Sequence, residues 1–445
     1  MRNSKAKHTR KSIRKVTIES TGKNLTIHAG LVPVMRFLGK LGFSKAFHRT
    51  VEHRRAHNAR YQLSDAVELN VLSLIAGARS VDESIRVWAD NVLRKLGGWD
   101  NIMNATTMGR ILKTVTEQHI YQMETFNHIM RGRVWKRARA LTSSLMRGSM
   151  WIDVDSTVKT TYGKHQEGAA VGYNPHKRGA PSYHPQLAFC AETKEILQAW
   201  LRCGDAYTSN GIVAFMKQLA AHLPNRMRLV FRGDSGYFVG ALLDWLDARG
   251  DGYLIKVKLK GLVGLLEIQQ WQAVAGHDGW EQASFTHRCG TWAHTRTFVA
   301  VRRLKDEDCN QGKLLDMRSY DYFCYVTTEN LTPWQTHKKY GERATCETWI
   351  DEAKNQMGMA HIKTKNFLAS SALFQCAVLA YNTVRWMALV SGDKQLMRWE
   401  MASIRTFMVR MAGKLVCGGR QMTLKIPTTL LHPKPWQSWL RVGMT

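Results

Sequence analysis

The residues best suited to chemistry are carboxylates at the ends of two predicted strands and on one predicted helix. The apolar run 149–155 ends in Asp153-Val-Asp155, and the apolar run 228–234 ends in Asp234, within Arg-Gly-Asp-Ser-Gly. Residues i and i+2 of a strand point to one face, so geometry alone does not choose between Asp153 and Asp155. Ser156 and Thr157 follow Asp155 and mark the end of the strand, where ligands meet open α/β sheets. The glycines at 233 and 236 let the backbone turn tightly around Asp234. Taken singly, either aspartate could merely cap a turn.

Further along, Tyr340, Arg343, Glu347, Asp351 and Lys354 fall near 0°, −60°, −20°, +20° and −40° on a helix of about 100° per residue. One stripe then carries an aromatic ring, two acids and two bases. A solvated face of Glu–Lys pairs has the same spacing. A bound metal beside phosphate-contacting cations would need such a set. Three carboxylates brought together repel one another unless cations neutralise them. Mg²⁺ takes oxygen ligands and keeps waters and phosphate oxygens. Two such ions about 3.5–4 Å apart can clamp the attacking and leaving oxygens of an in-line displacement at phosphorus.

These residues need strands and helices to hold them. Residues 184–190 and 196–202 flank a turn at Thr193-Lys194 and read as a hairpin, and 253–258 reads as a further strand. Helices are expected over 212–223 and 241–248. The order strand, hairpin, helix, strand, helix, strand describes a mixed sheet with helices packed on it. Residues 265–335 interrupt it with strand-like runs at 295–301 and 320–327, and a long helix is expected from about Glu342. Before the sheet, Ser64 is expected to cap a helix to Leu74. Ser80 and Glu83 form a capping box opening a helix toward Leu96. Thr106 or Thr107 is expected to cap a third helix carrying Arg110 and Lys113. Three short helices with a basic third one resemble a helix-turn-helix, although many bundles look alike.

The charge balance identifies the partner class. The 445 residues hold 64 Lys and Arg against 35 Asp and Glu, a net charge of +29. Solubility alone needs a magnitude of about 2–8 in a small domain, so the surplus points to a polyanion, usually nucleic acid. Residues 1–15 carry seven Lys or Arg and no acid, as a solvated phosphate-touching arm would. The eight cysteines form no C-x-x-C pair, which argues against a zinc ribbon or disulfide scaffold. The basic start lacks the apolar stretch of a signal peptide. The uncharged stretch 366–384 contains Ser370, Ser371, Gln375, Asn382 and Thr383 and reads as a buried helix, not a membrane span. The expected setting is the reducing cytosol.

Tyr340, Arg343, Glu347 and Lys354 match the Y-(2)-R-(3)-E-(6)-K signature of bacterial insertion-sequence transposases, whose glutamate is the third acid of a D-D-E triad. Asp155 and Asp234 resemble the first two acids, and the segments 172–188 and 404–427 resemble the corresponding parts of these enzymes. The resemblance covers roughly residues 25–430. It implies an α/β fold: an RNase H-like (retroviral-integrase-like) mixed-sheet catalytic core with a β-rich insertion and an N-terminal helical domain. The division expected is a basic arm (1–30), a helical DNA-binding domain (31–145), a catalytic domain in two parts (146–264 and 336–395) around the insertion (265–335), and a basic C-terminal segment (396–445).

The activity implied is cutting and joining of DNA at terminal inverted repeats, with two Mg²⁺ ions held by Asp155, Asp234 and Glu347 and Mn²⁺ able to substitute. Arg343 and Lys354 would contact phosphates, and Tyr340 would support the DNA end. Trp292, beside His294 and Arg296, is the candidate for stacking on a base, with core packing as its competing role. The implied partners are the repeats, target DNA and a second copy on the DNA ends, without a membrane, in a bacterial cytoplasm at the nucleoid. A nuclease that cuts without joining, or a non-catalytic DNA-binding descendant, are the competing readings. Intact acids weigh against the second, and the cations flanking Glu347 weigh against the first.

Overall fold

The computed structural model describes residues 17–56, 58–99, 101–146, 148–162, 165–175, 177–224, 227–290, 292–305, 320–360, 364–419 and 421–444. The basic run 1–15 lies outside them.

A nine-stranded sheet forms the centre. Its strands are β1 (Ser149–Ser156), β2 (Gln186–Cys190), β3 (Ile196–Trp200), β4 (Arg228–Gly233), β5 (Gly252–Lys256), β6 (Gln272–Ala273), β7 (Trp280–His287), β8 (Arg296–Leu304) and β9 (Tyr320–Thr327). Their spatial order is β6-β7-β8-β9-β5-β4-β1-β2-β3. β1 runs antiparallel to β2 and parallel to β4, and β4 runs parallel to β5. The first five strands thus lie in the order 3-2-1-4-5 with only the second reversed, as an RNase H-like core requires. Strands β6–β9 extend the same sheet, because β9 pairs antiparallel with β5.

Alternation along β1 explains how it carries acids through a core. Met150, Ile152 and Val154 are fully buried on one face, packed with Phe215, Leu219, Leu242 and Leu246 from helices α9 (Ile212–Ala221) and α10 (Gly240–Arg249) described below. Trp151, Asp153 and Asp155 take the other face by the period of two.

Helices α1 (Leu31–Lys40), α2 (Phe43–Thr50), α3 (Leu63–Ala76), α4 (Ile85–Trp88), α5 (Asn91–Gly97), α6 (Ala105–Leu112), α7 (Glu117–Arg137) and α8 (Arg139–Met146) precede the sheet. α9 and α10 connect its strands, and α11 (Leu262–Glu267) follows β5. After β9 come α12 (Pro333–Gly341), α13 (Ala344–Asp351), α14 (Phe367–Ser391), α15 (Lys394–Arg398), α16 (Met401–Ile404) and α17 (Pro433–Met444). α14 is the central post of the helical side. It is buried from Ala369 to Leu389 and shares one core with α3, α7 and the sheet residues Leu187, Phe189, Ile196 and Ala199. Its polar residues are satisfied inside: Asn382 accepts from Ile196 N and donates to Ile196 O.

Several helix boundaries differ from expectation, each because another group competes for the backbone. α3 starts one residue before Ser64, with Gln62 and Asp65 exchanging cap bonds. Glu83 N does bond Ser80 Oγ at 3.2 Å. However, the helix there breaks at Ala89, and Asp90 caps a new one through Val92 N and Leu93 N. Asn104, not Thr106 or Thr107, caps α6. The helix expected from Glu342 begins at Pro333, where Thr332 and Gln335 form a capping box around a first-turn proline. It is interrupted at Glu342-Arg343 and ends in a π turn, Glu352–Gln356.

Candidate active site

Asp155 is the penultimate residue of β1, its side chain 16% exposed, and Arg343 Nη2 lies 2.7 Å from its Oδ2. The Ser156 N–H donates to its other oxygen at 2.8 Å. Burial pushes the Asp155 carboxyl up to about 6; Arg343 opposes that shift, and Asp234 and Glu347 add to it. Asp234 and Glu347 are therefore both near enough to repel Asp155. Asp155 also holds Arg343 more firmly in its charged form. For the pair we take the guanidinium as charged and Asp155 as the group whose charge burial disfavours.

Asp234 is fixed by the turn that the glycines permit. Its Oδ1 accepts from Gly236 N at 2.9 Å. A Cβ at residue 236 would press on Thr208 at 3.0 Å and on Asp234 itself at 3.1 Å. One at residue 233 would enter the rings of Phe231 and Tyr237 at 2.8 and 2.9 Å. Glu347 stands exposed on α13.

Asp153, the alternative on the same face of β1, is consumed by structure. It is 0% exposed and receives Arg232 Nε at 2.5 Å and Nη2 at 2.8 Å. Arg232 Nη1 continues to Lys339 O at 2.5 Å, linking β1 and β4 to the end of α12. Sequence reading missed Arg232, which lies two residues before Asp234.

The helical stripe is only partly kept. Tyr340 is half-buried against Tyr325, with ring centroids 4.7 Å apart. Its hydroxyl pKa is raised by burial, with Asp234 and Asp155 among the weaker causes, so it stands by the acids. Arg343 sits at the helix interruption, 7% exposed, and its Nε and Nη2 make no well-directed hydrogen bond. Lys354 lies in the π turn and donates to Thr157 Oγ1 at 2.9 Å and to Val158 O at 3.2 Å, tying this helix to the chain leaving β1. Asp351 is exposed and accepts from Asn355.

Arg110 and Lys113 stand exposed at the end of α6. Trp292 is placed differently from the stacking expectation. It is 9% exposed, packed on Phe238 at 5.0 Å and covered by Arg296 at 4.7 Å, and its indole fills the space over Gly240. Its ring faces are occupied by the core. A network not foreseen adjoins Asp155: Ser156 Oγ meets His184 Nε2 at 3.0 Å and Thr208 Oγ1 at 3.2 Å, bridging to the turn of Asp234. The only signal for it was that His184 falls inside the segment 172–188.

Among the described residues, no three His, Cys, Asp or Glu side chains stand close enough to hold an ion; the Arg343 guanidinium lies against Asp155 instead. The donor chemistry nevertheless fits a hard cation. Asp234 and Glu347 both raise the proton affinity of Asp155, and a divalent ion would relieve that repulsion.

The sequence profile of the family described as Transposase DDE domain group 1 matches residues 8–441. Among solved structures, the chain is similar to a piggyBac transposase synaptic complex with hairpin DNA, with 11% identity, a TM-score of 0.45, and coverage of 84% of this chain and 78% of that one. It is also similar to a pre-cleavage Mos1 transpososome, with 10% identity, a TM-score of 0.17, and coverage of 46% of this chain and 61% of that one. Both scores are below one half, so the assignment rests on the family profile. No curated protein matches the sequence.

Proposed function

The chain belongs to the DDE transposase family, and from that premise we propose that Asp155, Asp234 and Glu347 are its metal-binding catalytic acids. It is a DNA transposase, a polynucleotidyl transferase that uses divalent metal. Our finer reading is a bacterial insertion-sequence enzyme with the Tyr340, Arg343, Glu347, Lys354 signature, cutting and joining DNA at the terminal inverted repeats of its element. The observation that carries it is the coupling of Asp155 to Asp234, Glu347 and Arg343.

Two Mg²⁺ ions, or Mn²⁺ in their place, would be held by the three acids. When bound, they supply a nucleophile at neutral pH and neutralise charge developing at the phosphorus. The chain's own residues do the rest. Asp234 is oriented by its turn and Asp155 by the Ser156 N–H. Arg343, paired with Asp155 through Nη2, keeps its Nε without a hydrogen-bond partner in a buried position, and its planar guanidinium is suited to a forked phosphate contact. Tyr340 braces the DNA end through Tyr325. Lys354 adds a point charge where the chain leaves β1. Arg110 and Lys113 contact DNA from the helical domain. We retain the six-part domain division given above, a dimer on paired DNA ends, and a cytoplasmic, nucleoid-associated setting as parts of this proposal.

The test is a duplex carrying the repeats that flank the coding region, incubated with the full chain and Mg²⁺ or Mn²⁺. Metal-dependent cleavage at the repeat end followed by joining to a target duplex is expected. Cleavage without joining would favour a nuclease, and binding without cleavage a non-catalytic descendant.

A further inference from the structure

A groove of about 880 Å³ lies between the helical region and the C-terminal segment. Arg86, Arg410 and Lys23 line it, with Ser73 and His28 also in its wall. It adjoins a second hollow of about 280 Å³ that shares Arg86 and Arg410 and adds Arg79, Arg405, Asn355 and Gln356. Four arginines from two distant parts of the chain thus face one space.

Arg405 is a fixed charge. It donates from Nε to Ile75 O at 3.0 Å and from Nη2 to Leu74 O at 3.3 Å and to Gln356 O. This caps the carbonyl end of α3. Arg410 lies beside it: a Cβ at Gly77, which has φ +105°, would meet Arg410 Nη2 at 2.8 Å and Arg405 Cδ at 3.0 Å. Burial lowers the Arg405 pKa to about 10, and the neighbouring charges of Arg410 and Arg79 add to that shift. The acids of the groove are otherwise engaged. Glu83 accepts from Arg79 N at 2.9 Å. Asp90 caps α5 and accepts from Thr26 Oγ1 at 2.6 Å. Among the described residues, Arg79, Arg86 and Arg410 form no ion pair, and all three are exposed. Ser73 Oγ and His28 Nδ1, both buried, have no hydrogen-bond partner. A polar, cationic hollow with unmet hydrogen-bonding groups fits an anion that brings several oxygens.

Its position selects which anion. Gln356 and Glu347 lie on one continuous helical run, nine residues apart. At the α-helical 1.5 Å per residue that is at most about 13 Å, less across the π turn Glu352–Gln356, and so within about four base-pair rises of 3.4 Å. We propose that this groove is a DNA-backbone site. Arg86 and Arg410, supported by Arg79 and the fixed charge of Arg405, grip phosphates of the transposon-end duplex within about four to five base pairs of the position of cleavage. The inference rests on the transposase reading, and adds a composite grip that neither the helical region nor the C-terminal segment provides alone.

The test uses the full chain and a fluorescent inverted-repeat duplex. Arg86 and Arg410 are both changed to glutamine; they are exposed, and the α3 cap at Arg405 is left untouched. The salt dependence of binding should flatten by roughly 1.8 in the log–log slope, about 0.9 per lost phosphate contact. Neutral methylphosphonates placed three to five base pairs from the cut should weaken binding by the wild type and make little further difference to the double variant. An unchanged slope, or the same methylphosphonate effect in both proteins, overturns the proposal. If the wild type neither prefers the repeat nor cleaves it, the transposase reading fails. The slope comparison, repeated on a random duplex, still decides whether the groove binds DNA.

Discussion

Replacing Asp153 by asparagine should destabilise the protein by about 3–5 kcal/mol, the usual cost of stranding one member of a buried ion pair. The structure puts the value in that range. Asp153 and Arg232 are 0% and 1% exposed, and two guanidinium bonds join them. What Arg232 would retain is the carbonyl of Lys339, the face of the Trp151 ring at 5.3 Å, and a 3.5 Å approach of Glu342, whose side chain is 57% exposed and screened by water. Against a typical total of about 5–15 kcal/mol, the loss is severe. Asp155→Asn should instead melt within about 1 kcal/mol of wild type, because burial already disfavours the Asp155 charge and Asp234 remains near Arg343. Denaturant melts of both variants provide the comparison, with metal-dependent DNA cleavage measured on the folded fraction. Asp153→Asn should cleave in proportion to its folded fraction, and Asp155→Asn should not cleave. Wild-type stability in Asp153→Asn, or a larger loss in Asp155→Asn, refutes this division of labour. Replacing the pair together, Asp153→Leu with Arg232→Met, should recover much of the lost stability, since no charge is then left stranded.

A second prediction concerns pH. Buried Glu124 accepts from Gln218 at 2.6 Å and Gln375 at 3.3 Å, and burial raises its carboxyl to about 7 from 4.5. A raised folded-state pKa gives stability that is full below pH 4.5 and is lost as pH rises through 7. The loss amounts to about 3 kcal/mol for a shift of this size. Wild-type stability should thus fall between about pH 4.5 and 7 and level off above that, and Glu124→Gln should flatten that fall; equal slopes refute it. A third prediction separates cutting from joining. Arg343→Ala should reduce strand transfer from pre-cut ends more than Lys354→Ala, because the guanidinium loses a forked contact while Lys354 is shared with Thr157 and Val158. Equal loss in nicking and transfer would show that both cations serve the acidic site instead.

How much was legible in the sequence followed from range. The strands ending at Ser156 and Gly233, the hairpin at Lys194 and the buried helix α14 come from local periodicity and turn chemistry, and the structure has them. The two glycines around Asp234 announced a tight turn, and close contacts with Phe231, Tyr237 and Thr208 give the reason. What failed depends on partners distant in sequence. Asp153 and Asp155 are equivalent by alternation, and only Arg232, 79 residues beyond Asp153, separates their roles. The stripe from Tyr340 to Lys354 assumed one regular helix, which an interruption at Glu342-Arg343 and a π turn at Glu352–Gln356 replace. Trp292 carried base-stacking chemistry in its type alone, whereas Phe238, Phe298 and Arg296 use it as core. Arg86 and Arg410 meet across 324 positions, beyond any local pattern.

The most direct test of the central claim is cleavage of an inverted-repeat duplex by Asp155→Asn, Asp234→Asn and Glu347→Gln, with Mg²⁺ or Mn²⁺ present and DNA binding measured in parallel. Each substitution keeps the side chain's shape and removes one metal-binding charge. All three variants are expected to fold and to bind the duplex with affinity near that of wild type, while metal-dependent cleavage disappears in each. Retained cleavage in any one of them would contradict the assignment of these three acids.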